Sequence, residues 1–219
     1  MSRDLSHARL YAILDLGYAD PADLEGVADQ LIAGGADVLQ LRAKGRSADE
    51  IESYARRVQP ICRAAGIPFI INDFPEIAAR VDADGVHVGQ DDGSLFEART
   101  RFQSVTGESS SSILFGRSTH SPEQARAALT EGFDYIGFGP LFPTPTKLGR
   151  PGIGLAEVRA TQNEVGSRIP MFCIGGIRRE NLSEVVAAGA RRVVIVSDLL
   201  SAPDISAATA SARNALTAG

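Results

Sequence analysis

Short runs of apolar residues recur along the whole chain, separated by more polar segments. Eight of these runs are rich in β-branched or aromatic side chains and are mostly continuous rather than alternating with polar residues. Strands that are buried on both faces of a parallel sheet typically have this pattern. The pattern therefore predicts eight strands, at residues 10–14, 38–41, 68–71, 85–88, 113–115, 135–138, 171–174 and 193–196.

The segments between these runs carry the periodicity of amphipathic helices. One helix is predicted after Asp20, with Pro21 at its first position and a stop at the glycines that begin with Gly34. Another begins at a capping box that opens with Ser47, and Pro60 inside it predicts a kink or a break. The same reasoning predicts further helices at residues 76–81, 93–101, 121–132, 155–163, 181–189 and 205–216.

Eight strands that alternate with about eight helices favour an α/β fold of the TIM (β/α)₈ barrel class, formed as a single domain by residues 1–219. The alternative is an open doubly wound sheet, which usually carries a glycine-rich dinucleotide-binding turn after its first strand. The segment at residues 14–18 is not such a turn, and neither a P-loop nor a G-x-S-x-G motif occurs in the chain. The barrel is therefore the preferred prediction.

Composition and charge narrow the class of protein further. Hydrophobic residues make up 44% of the chain and charged residues 22%, which excludes disorder for most of it. The net charge of −5 argues against a general nucleic-acid binder. Cys62 and Cys173 lie far apart and indicate neither a disulfide framework nor a cysteine zinc site. Because we find neither a signal-like segment nor a membrane-spanning run, we expect a cytoplasmic protein.

Functional side chains of a barrel lie at the carboxyl ends of its strands. Gln40, Arg42 and Lys44 follow the second apolar run and point to one side, since side chains alternate along a strand. An arginine fork and a mobile lysine charge suit phosphate oxygens. The alternative is a solvated basic turn, and this segment alone does not decide between the two.

Acidic residues follow the next two runs. Asn72 and Asp73 follow the third run, and Asp92 lies just after the fourth. Carboxylates at neighbouring strand ends suit Mg²⁺, which takes one or two carboxylates together with waters and substrate phosphates. Each of these residues alone could be a simple turn residue. Their repetition at successive strand ends favours the metal site.

The ends of the later strands also carry polar or glycine-rich residues. Ser118 and His120 follow the fifth run, but no third orienting residue supports nucleophilic catalysis by this pair. A long segment rich in glycine and proline, residues 139–154, follows the sixth run, and long ordered loops are usually functional. Gly175-Gly176 and Ser197 follow the seventh and eighth runs, where barrels often bind a phosphate.

Taken together, these segments resemble the thiamin phosphate synthase family over nearly the whole chain. The resemblance rests on an ordered set of strings, one per strand end. They are QLRAK at 40–44, IND at 71–73, ADGVHVGQDD at 83–92, RSTH at 117–120, DYIGFGP at 134–140, PTPTK at 143–147, IGGI at 174–177 and VS at 196–197.

The resemblance implies a barrel enzyme, a transferase, that joins hydroxymethylpyrimidine diphosphate to a thiazole phosphate, giving thiamin phosphate and pyrophosphate. By motif position, the pyrimidine diphosphate would be bound by Gln40, Leu41, Arg42, Ala43, Lys44, Asn72, Ser118 and Lys147. The thiazole phosphate would be bound by Thr144, Pro145, Thr146, Gly176, Val196 and Ser197. Asp73 and Asp92 would hold Mg²⁺, and the catalytic residues would be Arg42, Lys44, Ser118 and Lys147.

Two other functions stay open at this point. A sister family, the thiazole tautomerases, shares the barrel and a string like that at residues 117–121, and there His120 would be a proton shuttle. Asp73, Asp92, Thr146 and Lys147 favour the synthase. The other alternative is a non-catalytic phosphate-binding barrel. In every case we expect small-molecule ligands rather than a nucleic acid or a membrane, and a homo-oligomer is compatible with the sequence.

Overall fold

The computed structural model describes residues 4–107, 113–144 and 151–217. Eight parallel strands close into one barrel in the order in which they occur along the chain, which confirms the predicted TIM-barrel class. The strands are β1 (Leu10–Asp15), β2 (Val38–Arg42), β3 (Phe69–Asn72), β4 (Gly85–Val88), β5 (Leu114–Thr119), β6 (Tyr135–Phe138), β7 (Met171–Cys173) and β8 (Val193–Ile195).

Helices cover the outside of the barrel between successive strands. Within the described ranges they are α1 (Leu24–Ala33), α2 (Ala48–Ala65), α3 (Pro75–Arg80), α4 (Leu95–Thr106), α5 (Pro122–Glu131), α6 (Val158–Glu164), α7 (Leu182–Ala187), α8 (Ser197–Leu200) and α9 (Ile205–Thr217). Residues Pro21–Asp23 form a 3₁₀ turn ahead of α1. None of the described helices is both long enough and apolar enough to cross a membrane.

Helix α2 corrects one of the sequence-based predictions. Its capping box is present, with Glu50 N donating to Ser47 Oγ at 3.3 Å and Ser47 N donating to Glu50 Oε2 at 2.9 Å. Pro60 was expected to kink or break the helix, but the helix is not broken and continues past it to Ala65. A stripe that includes the fully buried Val58 and Cys62 packs on both sides of the proline. This burial offsets the missing backbone hydrogen bond.

Alternating side chains divide the apolar residues into two cores. The outer core fills the space between the strands and the helices and includes Leu10, Ala12 and Leu14 of β1. The inner core lies within the barrel and includes Tyr11 and Ile13 of the same strand. Leu5 and Ala8, which precede β1, also belong to it, with Val38, Ile70, Tyr135, Phe172 and Val194. The inner core therefore forms a floor beneath the open, carboxyl end of the barrel.

Candidate active site

A cavity opens at the carboxyl end of the barrel, above the aromatic floor. Residues from all eight strands contribute to its wall, and β3 contributes its last residue, Asn72. Among the residues that the sequence singles out, the wall contains Gln40, Arg42, Asn72, Ser118, His120, Thr144, Gly175, Gly176, Val196 and Ser197. The structure thus brings most of the predicted site residues that it describes to one cavity.

Strand β2 supplies an amide and a guanidinium to the cavity. Gln40 is buried, and its Nε2 donates to the hydroxyl of Tyr11 at 2.7 Å. Arg42 Nη1 donates to Asp15 Oδ2 on β1 at 2.6 Å. Because every second residue of the strand faces outward, Leu41 and Ala43 do not line the cavity and instead pack in the outer core.

Lys44, Asp73 and Asp92 lie beside the cavity rather than in its wall. Lys44 Nζ forms an ion pair with Asp73 Oδ2. Burial raises the pKa of Asp73, the Lys44 ammonium opposes that rise, and the nearby Asp92 carboxylate adds to it. Asp92 Oδ2 accepts a hydrogen bond from Gly89 N at 2.7 Å. The described residues contain no group of three or more His, Cys, Asp or Glu side chains arranged as metal ligands, and Asp73 and Asp92 stand as a pair of carboxylates.

Ser118 is held by contacts to its side chain and to its backbone. His87 Nε2 lies 3.0 Å from Ser118 Oγ, and Gln90 Nε2 donates to the Ser118 carbonyl oxygen at 2.5 Å. The loop that carries Gln90 is fixed in turn by Arg117, whose Nη2 donates to the Gln90 carbonyl oxygen at 3.2 Å and whose Nη1 donates to that of Gly93. The end of β5 is therefore tied to the loop after β4, which also carries Asp92.

His120 lies in the cavity wall with its ring oriented by the next strand end. Its Nδ1 contacts the carbonyl oxygen of Gly139, an arrangement in which Nδ1–H donates. Its backbone N–H donates to Gln124 Oε1 at 2.7 Å. The imidazole ring therefore has a fixed orientation in the cavity wall.

The loops after β6 and β7 pack closely against each other. Leu141 N donates to the Ile174 carbonyl oxygen at 2.8 Å, and Phe142 N donates to that of Gly175 at 3.0 Å. Gly176 has a φ of 63°, and a Cβ there would fall 2.7 Å from Phe142 Cβ, so this position requires glycine. Of the residues expected in the long loop, Thr144 lines the cavity. Pro145, Thr146 and Lys147 lie outside the described residues.

Sequence reasoning missed several residues that shape the cavity. Tyr11, His87, Tyr135 and Phe172 occupy inward positions within or beside the apolar runs and read there as ordinary core residues. The rings of Tyr11 and Phe172 meet edge to face at 5.2 Å between centroids. Asp15 was missed as well, although a charged residue that closes an apolar run was a usable signal. His87, a polar residue inside the fourth run, was another.

Comparisons with known proteins agree with this geometry. A family model described as thiamine monophosphate synthase matches residues 10–199. The thiamine-phosphate synthase of a Thermus thermophilus strain is 43% identical over 210 residues, which cover 95% of this chain and 97% of the relative. That of Mycolicibacterium vanbaalenii is 42% identical over 217 residues, which cover 94% of this chain and 93% of the relative.

Solved structures give the same result. The thiamine phosphate pyrophosphorylase from Pyrococcus furiosus superposes with a TM-score of 0.82 at 29% identity, covering 96% of each chain. A geranylgeranylglyceryl phosphate synthase from Thermoplasma acidophilum superposes with a TM-score of 0.71 at 16% identity, covering 98% of this chain and 95% of that one, a likeness that shows the shared fold alone. The family model, the two relatives and the archaeal structure together place this chain in the thiamine-phosphate synthase family, whose members are transferases of thiamine biosynthesis.

Proposed function

We propose that this chain joins hydroxymethylpyrimidine diphosphate to a thiazole phosphate with the help of Mg²⁺, releasing pyrophosphate. The observation that carries the proposal is the layering of the cavity. An aromatic floor with one fixed amide lies beneath a rim that holds Arg42, Lys44 and a pair of carboxylates. The pyrimidine substrate has two matching parts: an aromatic ring that suits the floor and a diphosphate that suits the charged rim.

The floor suits the pyrimidine ring. Tyr11, Tyr135 and Phe172 are buried and pack against one another, so the floor is rigid and apolar. Gln40 donates one N–H to Tyr11, and this contact fixes the amide plane. The remaining N–H and the amide carbonyl can pair with the polar edge of an aminopyrimidine.

The rim suits the diphosphate. The guanidinium of Arg42 presents a planar fork to phosphate oxygens, and Asp15 holds that fork in place. Lys44 adds a second positive charge beside it, and Asn72 and Ser118 add neutral polar groups in the cavity wall. These groups bind the diphosphate of the substrate. They stabilise the transition state more strongly, because negative charge builds up there on the departing pyrophosphate.

Asp73 and Asp92 fit a magnesium ion by the chemistry of their donor set. Both are carboxylates at neighbouring strand ends, close enough for the charge of Asp92 to raise the pKa of Asp73. A hard divalent cation would relieve that repulsion, and diphosphate oxygens would complete its coordination. When bound, Mg²⁺ would neutralise charge on the diphosphate and its departing form.

The loops after β6, β7 and β8 suit the thiazole phosphate. Thr144, Gly176, Val196 and Ser197 line the same cavity on the side away from β2. The backbone of Gly176 can approach an anion closely because no side chain intervenes. By the family resemblance, Pro145 and Thr146 complete this half of the site.

The reaction breaks the C–O bond between the pyrimidine methylene group and the diphosphate, and the bonding electron pair leaves with pyrophosphate. The thiazole nitrogen donates its lone pair to the methylene carbon and forms the new C–N bond. No protein nucleophile takes part. We assign charge stabilisation and positioning to Arg42, Lys44, Ser118 and Lys147, which is the kind of catalysis that preorganised donors supply.

The direct test is incubation of the purified protein with both substrates and Mg²⁺. We expect thiamin phosphate and pyrophosphate to form in equal amounts, and we expect a chelator to stop the reaction. Binding of both substrates without product would contradict the proposal and would support a non-catalytic phosphate-binding barrel.

One observation supports a second candidate activity. His120 lines the cavity, and its contact with the Gly139 carbonyl oxygen orients the ring as proton-shuttle chemistry would require. A thiazole tautomerase would use this ring and would release no pyrophosphate. Conversion of a thiazole phosphate tautomer in the absence of the pyrimidine substrate would support this activity.

A further inference from the structure

A second groove lies at the opposite, amino-terminal end of the barrel. Its wall contains Arg9, which directly precedes β1, and Arg191 and Arg192, which directly precede β8. Arg159 of α6 and His7 complete its basic residues, and no described residue of the wall is acidic. Four arginines thus surround one groove in a chain whose net charge is −5.

Strand pairing explains why two of these arginines are neighbours. Leu10 of β1 pairs with Val193 of β8, and Val193 N donates to the Arg9 carbonyl oxygen at 2.9 Å. One residue earlier in the same register, Arg9 lies beside Arg192. The barrel closure itself therefore sets two guanidinium groups at adjacent strand starts.

None of the four guanidinium groups has a carboxylate partner among the residues that the structure describes. Arg9 Nη1 donates to the Leu216 carbonyl oxygen at 2.9 Å, and Arg192 Nη2 donates to that of Ser6 at 2.7 Å. Arg159 Nη2 contacts the Ala187 carbonyl oxygen. These contacts are to carbonyl oxygens, which position the side chains but do not neutralise their charges. Elsewhere the protein pairs arginines with acids, as in Arg57–Glu25 and Arg101–Glu76.

Two carboxylates near the groove, Asp37 and Asp4, are engaged in other contacts. Asp37 accepts from Arg9 N at 2.8 Å and from Leu10 N at 2.9 Å, and it forms an ion pair with Arg213. Asp4, which is exposed, accepts from the backbone and side chain of Ser6 at 2.7 Å. Burial lowers the pKa of Arg192, and the charges of Arg191 and Arg9 lower it further, while Asp4 opposes them. Positive charge therefore prevails in the groove.

We propose that this groove is a second binding site, specific for a phosphate-class anion of at least two negative charges. Arginine forks match phosphate oxygens, and an anion with several oxygens can engage more than one fork at a time. The site is separate from the candidate active site because it lies at the other end of the strands. The same chemistry fits inorganic pyrophosphate and the phosphate chain of a nucleotide.

The test is calorimetric titration of the full-length protein with inorganic pyrophosphate, and in a separate arm with ATP. The groove variant is Arg159→Gln/Arg191→Gln, which changes two exposed side chains. The matched control is Arg56→Gln/Arg63→Gln, which removes the same charge from the outer surface of α2. An Arg42→Gln variant weakens binding at the other end of the barrel, so that the two sites can be told apart.

We expect pyrophosphate binding at this groove to be retained in the Arg42→Gln protein and in the α2 control. In the groove variant we expect the affinity for pyrophosphate to fall at least about tenfold. Tighter binding of ATP would identify the ligand as a nucleotide. Tighter binding of pyrophosphate would identify it as a free inorganic anion. Equal binding by the groove variant and the unmodified protein would overturn the proposal, as would an equal loss in the α2 control. If the double variant fails to fold, Arg191→Gln alone is titrated in the same way.

Discussion

Arg42 on β2 donates a hydrogen bond to Asp15 on β1 over 2.6 Å, and the two residues are direct partners in the strand register. Asp15 is buried, and its other carboxylate oxygen accepts from Gly17 N at 2.9 Å. The carboxylate is thereby fixed on both sides and fixes the guanidinium in turn. Asp15 is a positioning residue for the group that we assign to the diphosphate.

Asp15→Asn is expected to lower kcat/KM for the pyrimidine diphosphate by about tenfold, because a charge-assisted contact to Arg42 becomes a neutral one. Steady-state kinetics with the pyrimidine substrate varied would measure this change. Asp20→Asn provides a control, since Asp20 caps the turn ahead of α1 and lies outside the cavity wall. Unchanged kinetics in Asp15→Asn would show that Arg42 needs no anchor.

Asp92→Ala is expected to abolish most activity and to raise the Mg²⁺ concentration needed for half-maximal rate by about tenfold or more. Asp73→Asn is expected to act in the same direction. The exposed neighbour Asp91 offers a matched control, as Asp91→Asn changes a carboxylate in the same loop. The measurement is initial rate against Mg²⁺ concentration. An Asp92→Ala protein with the original rate and the original Mg²⁺ response would remove this residue from the metal site.

Gly116→Ala is expected to destabilise the fold, because a Cβ at this position would fall 2.1 Å from the buried ring of Tyr135. Overpacking of this kind typically costs about 1–3 kcal/mol. Gly137→Ala on β6 is the matched control, since its nearest contact would be 3.5 Å from the ring of His87. Urea unfolding of both variants would measure the difference. If the two variants were equally stable, Gly116 would not be needed to admit the ring of the floor.

The two cysteine thiols are expected to be unreactive in the native protein. Burial raises the pKa of Cys62 and of Cys173 to about 12. Because only the thiolate is nucleophilic, modification by a disulfide reagent should stay slow from about pH 7 to about pH 9 and should become fast on unfolding in urea. Absorbance of the released thiol would follow both reactions. Rapid modification of either cysteine in the folded protein at neutral pH would contradict this burial.

The barrel could be predicted because each of its strands has a recognisable local sequence pattern. Continuous β-branched runs mark strands that are buried on two faces, and the capping box at Ser47 marks the start of α2. The break that Pro60 allowed does not occur, because a local rule takes no account of the tertiary burial on both sides of the proline. Tertiary packing commonly overrides propensity in this way.

The candidate site was predictable where polar residues interrupt the pattern at strand ends. Gln40 and Arg42 were found by alternation, and the same alternation places Leu41 and Ala43 in the outer core. The aromatic floor was not found, because Tyr11 and Tyr135 look like core residues until barrel closure brings them together. Contacts between distant strands, such as that of His87 with Ser118, likewise follow from closure rather than from spacing.

We propose that the protein stabilises charge on departing pyrophosphate and does not move a proton. The decisive measurement is kcat for Lys147→Ala and for His120→Ala, determined side by side with both substrates and Mg²⁺. We expect Lys147→Ala to lower kcat by about 10²–10³, as the loss of one transition-state donor does, and His120→Ala to have a smaller effect. An unaffected Lys147→Ala protein beside an inactive His120→Ala protein would show that the protein moves a proton instead.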